Sequence, residues 1–307
     1  MSSTTTSTGI LETFSSAIEH VAESVSPSVV SVSSDGRNGT GIVWDDQGYI
    51  VTAYHVVHGL EEVEVGSDSG ETFTGKVVGQ DKSSDLALLK IEGKLRPITK
   101  GDSESLRVGQ FVLALANPYA TKASATSGII TGVKRNIGGW WGVGIDDAIV
   151  TDARVNPGYS GGPLVDASGR MVALNIAYMS SRGIAVPIKK VSATVEKLAS
   201  GKVVGRAYLG IVSHPIPIPE DVAKGVEIGQ ESGLIVLSVE AGSAAKAAGL
   251  SFGDIMLGLD GIPITGFHDL RRFLTEERIG KPLKVKVLRG GKVEELSVTP
   301  GSAPESE

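Results

Sequence analysis

The chain contains no cysteine. Disulfides, thiolate catalysis and cysteine-ligated zinc are therefore excluded together, while the redox compartment stays open. No apolar run approaches the roughly 18 residues that cross a bilayer. Neither charge sign forms a long block: 35 acidic and 29 basic residues give a formal charge of -6. That leaves no surface able to neutralise phosphates, so nucleic acid is not an expected partner. Neither a metal nor a cofactor is expected. Residues Met1 to Gly9 are rich in Ser and Thr and lack both the basic start and the apolar core of a secretory signal. The expectation is a soluble chain, cytoplasmic as written, or of an envelope compartment if a targeting segment has been removed.

Aromatics are also scarce, at 5%, whereas there are 40 glycines. Together these point to the many tight turns of a mainly β fold. At 307 residues the chain exceeds what one core usually organises, so two domains are expected. Ile10, Leu11, Phe14, Ile18, Val21 and Val25 recur at helical spacing, and Pro27 ends that segment. From Val29 to Pro187 short β-branched runs alternate with Gly, Asp, Asn and Ser: Val29 to Val32, Thr40 to Val43, Tyr49 to Thr52, Thr72 to Val78, Leu86 to Ile91, Phe111 to Leu115, Ser127 to Val133 and Met171 to Ile176. Such spacing predicts a barrel or sandwich. A short helix follows with Val191, Val195 and Leu198 on one face, then a small-residue linker from Ser200 to Gly205. Beyond Arg206 the pattern reads as strand (Tyr208 to Ser213), a Pro-rich excursion (Pro215 to Pro219), strand (Leu234 to Val239), short helix (Ala244 to Ala248), strand (Ile255 to Leu259), helix (Phe267 to Glu276) and a hairpin turning at Gly290-Gly291. No internal repeat is visible. The expected division is an N-terminal segment over 1–26, a first domain over 27–199 and a second over 206–300.

The strongest local signal is Asn156-Pro157-Gly158-Tyr159-Ser160-Gly161-Gly162-Pro163-Leu164, a serine set in glycines. Glycine permits positive φ and close approach of backbone to substrate. The N–H groups of Gly158 and Ser160 can then converge on one point, as an oxyanion hole requires. An isolated Ser-Gly-Gly would be an ordinary turn; the longer string argues for more. A serine hydroxyl needs a base, usually histidine. Of five histidines, His20 lies on the N-terminal helix and His214 and His268 lie in the second domain, leaving His55 and His58. His55 directly follows the strand Ile50-Val51-Thr52, where a turn can aim it into a cleft, while His58, beside Gly59, reads as a surface turn residue. A carboxylate must then fix the imidazole tautomer. Asp85 opens the apolar strand Leu86 to Ile91, whereas Asp81 and Asp102 fall in polar loops. Gly158-x-Ser160-x-Gly162 also fits the nucleophile elbow of α/β-hydrolases. That reading fails on Pro163 and strand-like Leu164-Val165 where a helix is needed, on the order of the histidines, and on the missing α/β alternation.

Three blocks now stand in order: Ile50 to Val57, Ser84 to Lys90 and Thr151 to Leu164. They resemble the signature blocks of the HtrA (Deg) serine proteases, and the similarity runs from about Phe14 to Pro300. The resemblance implies a chymotrypsin-like double β-barrel followed by a PDZ domain, with His55, Asp85 and Ser160 as the catalytic triad. The chain departs from the family at Ala53-Tyr54 (usually Asn-Ala), Tyr159 (usually Asn) and Ala116 (usually Gly). In this fold the strand and loop after the serine shape the specificity pocket, here Asn175, Ile176 and Ala177 and then Met179 to Gly183. No acidic residue occurs there, so small or medium aliphatic residues before the cut are expected rather than Lys or Arg. Trp140 and Trp141, within Lys134 to Gly144, occupy the position of the family's regulatory loop. Tyr208-Leu209-Gly210-Ile211 stands at the position of the PDZ carboxylate-binding loop, with Phe267, Leu270, Arg271 and Leu274 on the helix beside it. The resemblance further implies unfolded polypeptide substrates, C-terminal peptides at the PDZ domain and a homotrimer or larger assembly through the helix around Phe14. A peptide-binding chaperone with weak or switched-off hydrolysis is the alternative function.

Overall fold

Runs such as Leu86-Ala87-Leu88-Leu89 have no polar alternation because both faces of the strand are covered. In the computed structural model Ala87 and Leu89 point into one interior while Leu86 and Leu88 point into another, as period-two geometry requires. The structure describes residues 4–34, 36–118, 123–137, 145–179, 182–201, 207–226 and 228–302, with side chains excepted at 4–8 and 177–179. It divides into two units, Met1–Val204 and Gly205–Glu307.

The first unit opens with helix α1 (Thr4–Val25). Strands β1 (Val29–Ser34), β2 (Arg37–Val43), β3 (Tyr49–Ala53), β4 (Glu62–Gly66), β5 (Thr72–Asp81) and β6 (Leu86–Lys90) close a barrel in the order β1-β2-β3-β6-β5-β4, with α2 (Tyr54–Val57) directly after β3. Strands β7 (Phe111–Ala116), β8 (Ser124–Ile137), β9 (Ile145–Thr151), β10 (Pro163–Asp166), β11 (Met171–Met179) and β12 (Arg182–Pro187) close a second barrel in the order β10-β11-β12-β9-β8-β7. Counted from its own first strand, the second barrel has the order of the first. The chain thus repeats a topology that its sequence does not display. Val29, Ile42, Val51, Leu86, Leu88, Leu113, Leu115, Val165 and Leu174 form the core between the barrels. Helix α3 (Ile188–Ala199) lays Val191, Val195 and Leu198 on that core. Its close seat on β5 uses Gly79, where a Cβ would lie 2.9 Å from Leu198 Cβ.

The second unit contains β13 (Ala207–Tyr208), β14 (Ile211–Pro217), α4 (Glu220–Gly225), β15 (Ser232–Val239), α5 (Ala244–Ala247), β16 (Ile255–Leu259), β17 (Ile262–Pro263), α6 (Phe267–Phe273), β18 (Leu283–Arg289), β19 (Lys292–Val298) and β20 (Gly301–Ser302). Its main sheet runs β14-β15-β16-β18-β19, and β13 pairs separately with β20. Gly290 and Gly291 both have positive φ, 54° and 78°, as the two-residue β18–β19 hairpin needs.

Two sequence expectations are corrected. Strands β4, β9 and β12 were not foreseen: Glu62-Val63-Glu64-Val65 is half charged, and burial alternates along it with only Val63 and Val65 turned inward before Gly66. The Pro-rich stretch is not an excursion throughout, because β14 continues through Pro215 and Pro217. Both sit on the outermost strand of the sheet, where a residue lacking N–H is tolerated. Among the described residues no helix is long and apolar enough to cross a membrane.

Candidate active site

His55 lies on the α2 turn, immediately after β3. β3 pairs with β6, Ala53 opposite Leu86, which brings Asp85 alongside. Asp85 adopts φ 55°, and its carbonyl accepts the Tyr54 N–H at 3.0 Å. Its carboxylate is fixed at both oxygens: Oδ1 accepts the His55 backbone N–H at 3.0 Å, and Oδ2 meets His55 Nδ1 at 2.7 Å. That contact places the ring proton on Nδ1 and leaves Nε2 as the basic nitrogen. The Asp85 side chain is 15% exposed against 46% for His55, so the carboxylate is sheltered beneath an accessible imidazole.

The rejected carboxylates hold their own loops. Asp81 is not in a polar loop as expected. It ends β5, is buried, and accepts the Ser83 N–H at 2.9 Å, the Ser83 hydroxyl at 2.7 Å and the Ser84 hydroxyl, shaping the turn that delivers Asp85. Asp102 accepts the Glu104 N–H at 2.9 Å, and that bond, the largest contribution, holds its carboxyl below the usual range. His58 is exposed at the end of α2, its ring stacked on Tyr54 with centroids 5.5 Å apart.

Ser160 occupies a turn pressed against the same strand end. Gly161 has φ 89°, and a Cβ there would lie 2.0 Å from Thr40 O, 2.5 Å from Thr52 Oγ1 and 3.0 Å from Ala53 N. Only glycine allows this approach. The Thr40 N–H donates to Ser160 O at 2.9 Å, and the Thr40 hydroxyl donates to Gly158 O at 2.7 Å while accepting the Asn117 N–H at 3.1 Å. Thr40 therefore ties the serine turn to the first barrel. Sequence reasoning missed it, because a threonine in a strand carries no distinguishing signal. The Tyr159 N–H is engaged by Asn156 O at 3.0 Å, whereas the N–H groups of Gly158 and Ser160 on either side meet no acceptor among the described residues. The Ser160 hydroxyl donates to Ile176 O at 3.1 Å, and no hydrogen bond joins it to the His55 ring. The structure thus brings His55 and Asp85 into contact and sets the serine turn against the end of β3, with the hydroxyl bonded to Ile176 O and not to the base.

Of the residues expected to shape the pocket, Asn175 is fully buried and donates from Nδ2 to Pro163 O at 3.0 Å, and Ile176 packs into the inter-barrel core. Ile176 offers its carbonyl to the site rather than its side chain. The side chain of Ala177 lies outside the described residues, as do Trp140 and Trp141. In the second unit Gly210 has φ 77°, and a Cβ would lie 2.2 Å from Ser243 Cβ. The carbonyls of Leu209 and Gly210 accept Ala245 N–H at 2.8 Å and Glu240 N–H at 2.9 Å. Tyr208 donates its hydroxyl to Glu240 at 2.9 Å, and burial together with that carboxylate raises its pKa. Of the α6 stretch, Leu270 and Leu274 pack into the core, and Phe267 remains 45% exposed.

Comparison with known proteins agrees in both units. Residues 39–174 match the family described as trypsin-like peptidase domain, and residues 221–299 match PDZ domain. Protease Do-like 1, chloroplastic, of Arabidopsis thaliana is 38% identical over 283 residues, covering 85% of this chain and 63% of that protein. Putative serine protease HhoB of Synechocystis sp. is 32% identical, covering 87% of this chain and 67% of that protein. Among solved structures, HtrA-type protease AlgW with tripeptide superposes at a TM-score of 0.77 with 29% identity, over 93% of this chain and 97% of that one. The chain belongs to the HtrA (Deg) family of serine proteases. It spans 53 to 67% of the length of curated relatives such as these. Tyr159, read from the sequence as a departure from the family's pattern, is 4% exposed. The ring is buried in the core of the second barrel, and burial raises the hydroxyl pKa against the opposing bonds to Asn156 and Ser124.

Proposed function

We propose that this chain is a serine endopeptidase acting on unfolded polypeptides, with Ser160 as nucleophile, His55 as base and then acid, and Asp85 as orienter. The observation that carries the reading is the 2.7 Å contact between His55 Nδ1 and Asp85 Oδ2 at the strand end that seats the Ser160 turn. In the reaction the Ser160 hydroxyl swings from Ile176 O to His55 Nε2, gives up its proton and attacks the scissile carbonyl. The unengaged N–H groups of Gly158 and Ser160 receive the oxyanion. His55 then protonates the leaving amine, and the acyl group stays on Ser160 until a water, deprotonated by His55, releases it. Asp85 stabilises the imidazolium throughout.

The absence of acidic residues from Leu174 to Gly183 supports cleavage after small or medium aliphatic residues. The segment around Trp140 and Trp141 would pass the state of the PDZ groove to the catalytic turn. Exposed Ile10, Leu11 and Phe14 on α1 support a homotrimer contact there. Relatives named chloroplastic or periplasmic support work in an envelope or organellar compartment.

One observation favours the chaperone reading: the Ser160 hydroxyl is engaged by Ile176 O and not by the base. Digestion of β-casein and of a random peptide library, with every cleavage site mapped, separates the two. The protease reading expects new termini after Ala, Val, Leu or Ile. Cleavage mainly after Lys or Arg overturns the specificity, and binding without any cleavage favours the chaperone.

A further inference from the structure

The α2 turn that bears His55 carries two further rings. At about 100° per residue the turn puts Val56 and Val57 on one side, where both are buried in the core of the first barrel, and Tyr54, His55 and His58 on the other. Tyr54 is half-buried, while His55 and His58 are exposed. Tyr54 and His58 stand one helical turn apart, joined by the His58 N–H donating to Tyr54 O at 2.9 Å. Their rings stack, with centroids 5.5 Å apart and planes 24° from parallel. His58 is also three positions from His55, which on a helix surface sets the two Cβ atoms about 5–6 Å from each other. The pair is held at both ends: the Tyr54 N–H donates to Asp85 O at 3.0 Å, and His58 O accepts from Arg37 Nη1 at 2.8 Å. Tyr54, read from the sequence as a departure from the family's pattern, has no part in the acyl-transfer chemistry described above.

We propose that Tyr54 and His58 form a subsite for the leaving half of the substrate, one that favours an aromatic side chain at the first or second residue after the cut. The proposal rests on the reading of His55 as the acid that protonates the leaving amine. That step brings the amine nitrogen to about 2.6–3.2 Å from His55 Nε2. The serine turn holds the acyl half, so the chain beyond the scissile bond departs across the face of α2 that bears His55. The neighbouring side chains on that face are Tyr54 and His58. A stacked pair presents flat π surface, against which a further aromatic ring gains roughly two- to tenfold in affinity beyond its buried area. The bonds to Asp85 and Arg37 set the pair in advance, so little ordering is lost when a side chain docks. Arg37 also keeps a guanidinium against the His58 carbonyl, a charge that opposes Lys or Arg in the same place. Because the contact is made to the half that leaves, it acts on acylation and is gone before the acyl-enzyme is hydrolysed.

The test uses the full chain and a set of quenched fluorescent peptides that share one acyl half ending in Val. They differ only at the first or the second residue after it, which is Ala, Phe, Tyr, Lys or Glu, and mass spectrometry maps the bond cut in each. The expected result is a kcat/KM roughly two- to tenfold higher for the Phe and Tyr peptides than for the Ala peptide at one of the two positions, with Lys no better than Ala. In Tyr54→Ala and in His58→Ala the ratio of Phe to Ala peptides should fall toward unity, whereas Tyr54→Phe, which keeps the ring, should retain it. Equal kcat/KM for the Ala, Phe and Tyr peptides at both positions in the parent would overturn the subsite. So would a uniform loss over all peptides in both alanine variants with the ratio kept, which is the mark of a structural role for the stack. No cleavage of any peptide by the parent would instead overturn the protease reading beneath it.

Discussion

Gly161→Ala should separate the seating of the nucleophile from ordinary glycine strain. Gly161 has φ 89°, and a non-glycine residue in that region costs about 1–2 kcal/mol. Its added Cβ would also stand 2.0 Å from Thr40 O and 2.5 Å from Thr52 Oγ1. Relief requires the Ser160 turn to retreat by more than an ångström, since the Thr40 backbone belongs to a barrel strand. Overpacking of this kind costs about 1–3 kcal/mol. The retreat breaks the 2.9 Å bond from Thr40 N–H to Ser160 O, worth about 1 kcal/mol more. The expected total is about 3–6 kcal/mol. Gly109→Ala is the matched control: its φ is 90°, and a Cβ there meets nothing within 4 Å, so only the strain of about 1–2 kcal/mol applies. Urea unfolding followed by tryptophan fluorescence reads the first unit alone, because Trp44, Trp140 and Trp141 all precede residue 204. Turnover of β-casein should fall about 10²-fold or more in Gly161→Ala, on the scale of a 1 Å misplacement, and be unchanged in Gly109→Ala. Equal stability and equal turnover in the two variants would refute the seating argument.

Thr40→Val removes the hydroxyl that holds Gly158 O while keeping the shape. Stability should drop by about 1–2 kcal/mol and casein turnover should fall with little change in KM, while Thr40→Ser should retain both, as steady-state kinetics will show. In the second unit the buried Asp254 receives Arg289 Nε at 2.7 Å and Nη2 at 2.7 Å. Burial pushes its pKa up, but the bonds from Arg289 outweigh it and hold the carboxyl below its ordinary value. A lowered folded-state pKa contributes stability above the unfolded pKa of about 3.9, and loses it as pH falls through the folded value. Arg289→Met should therefore cost about 2–4 kcal/mol near neutral pH, and the gap to the parent should narrow below about pH 4. Hydrogen exchange along β16 and β18 measures both.

The contact between His55 and Asp85 was legible because its residues are unusual for their places, a histidine after an apolar strand and an aspartate before one, and the candidate Ser160 stood out as a serine among glycines. The double barrel was legible in part. Strands with one or both faces buried, such as Leu86 to Lys90, announce themselves, but Glu62 to Gly66 does so weakly because Glu62 and Glu64 face solvent. Thr40 was invisible because its role comes from the fold bringing β2 beside a turn 118 positions away in sequence. The prolines of β14 read as a break because a proline's place on an edge depends on which strands flank it, information the local sequence does not hold. The direction of the Ser160 hydroxyl, toward Ile176 O, is a rotamer choice that no pattern encodes.

The central claim is that Ser160 is the nucleophile of an endopeptidase. β-Casein turnover by the full chain and by Ser160→Ala, with casein binding measured in parallel, tests it most directly. Fragments are expected from the parent, none above background from the variant, and equal casein binding by both. Undiminished cleavage by Ser160→Ala would contradict it.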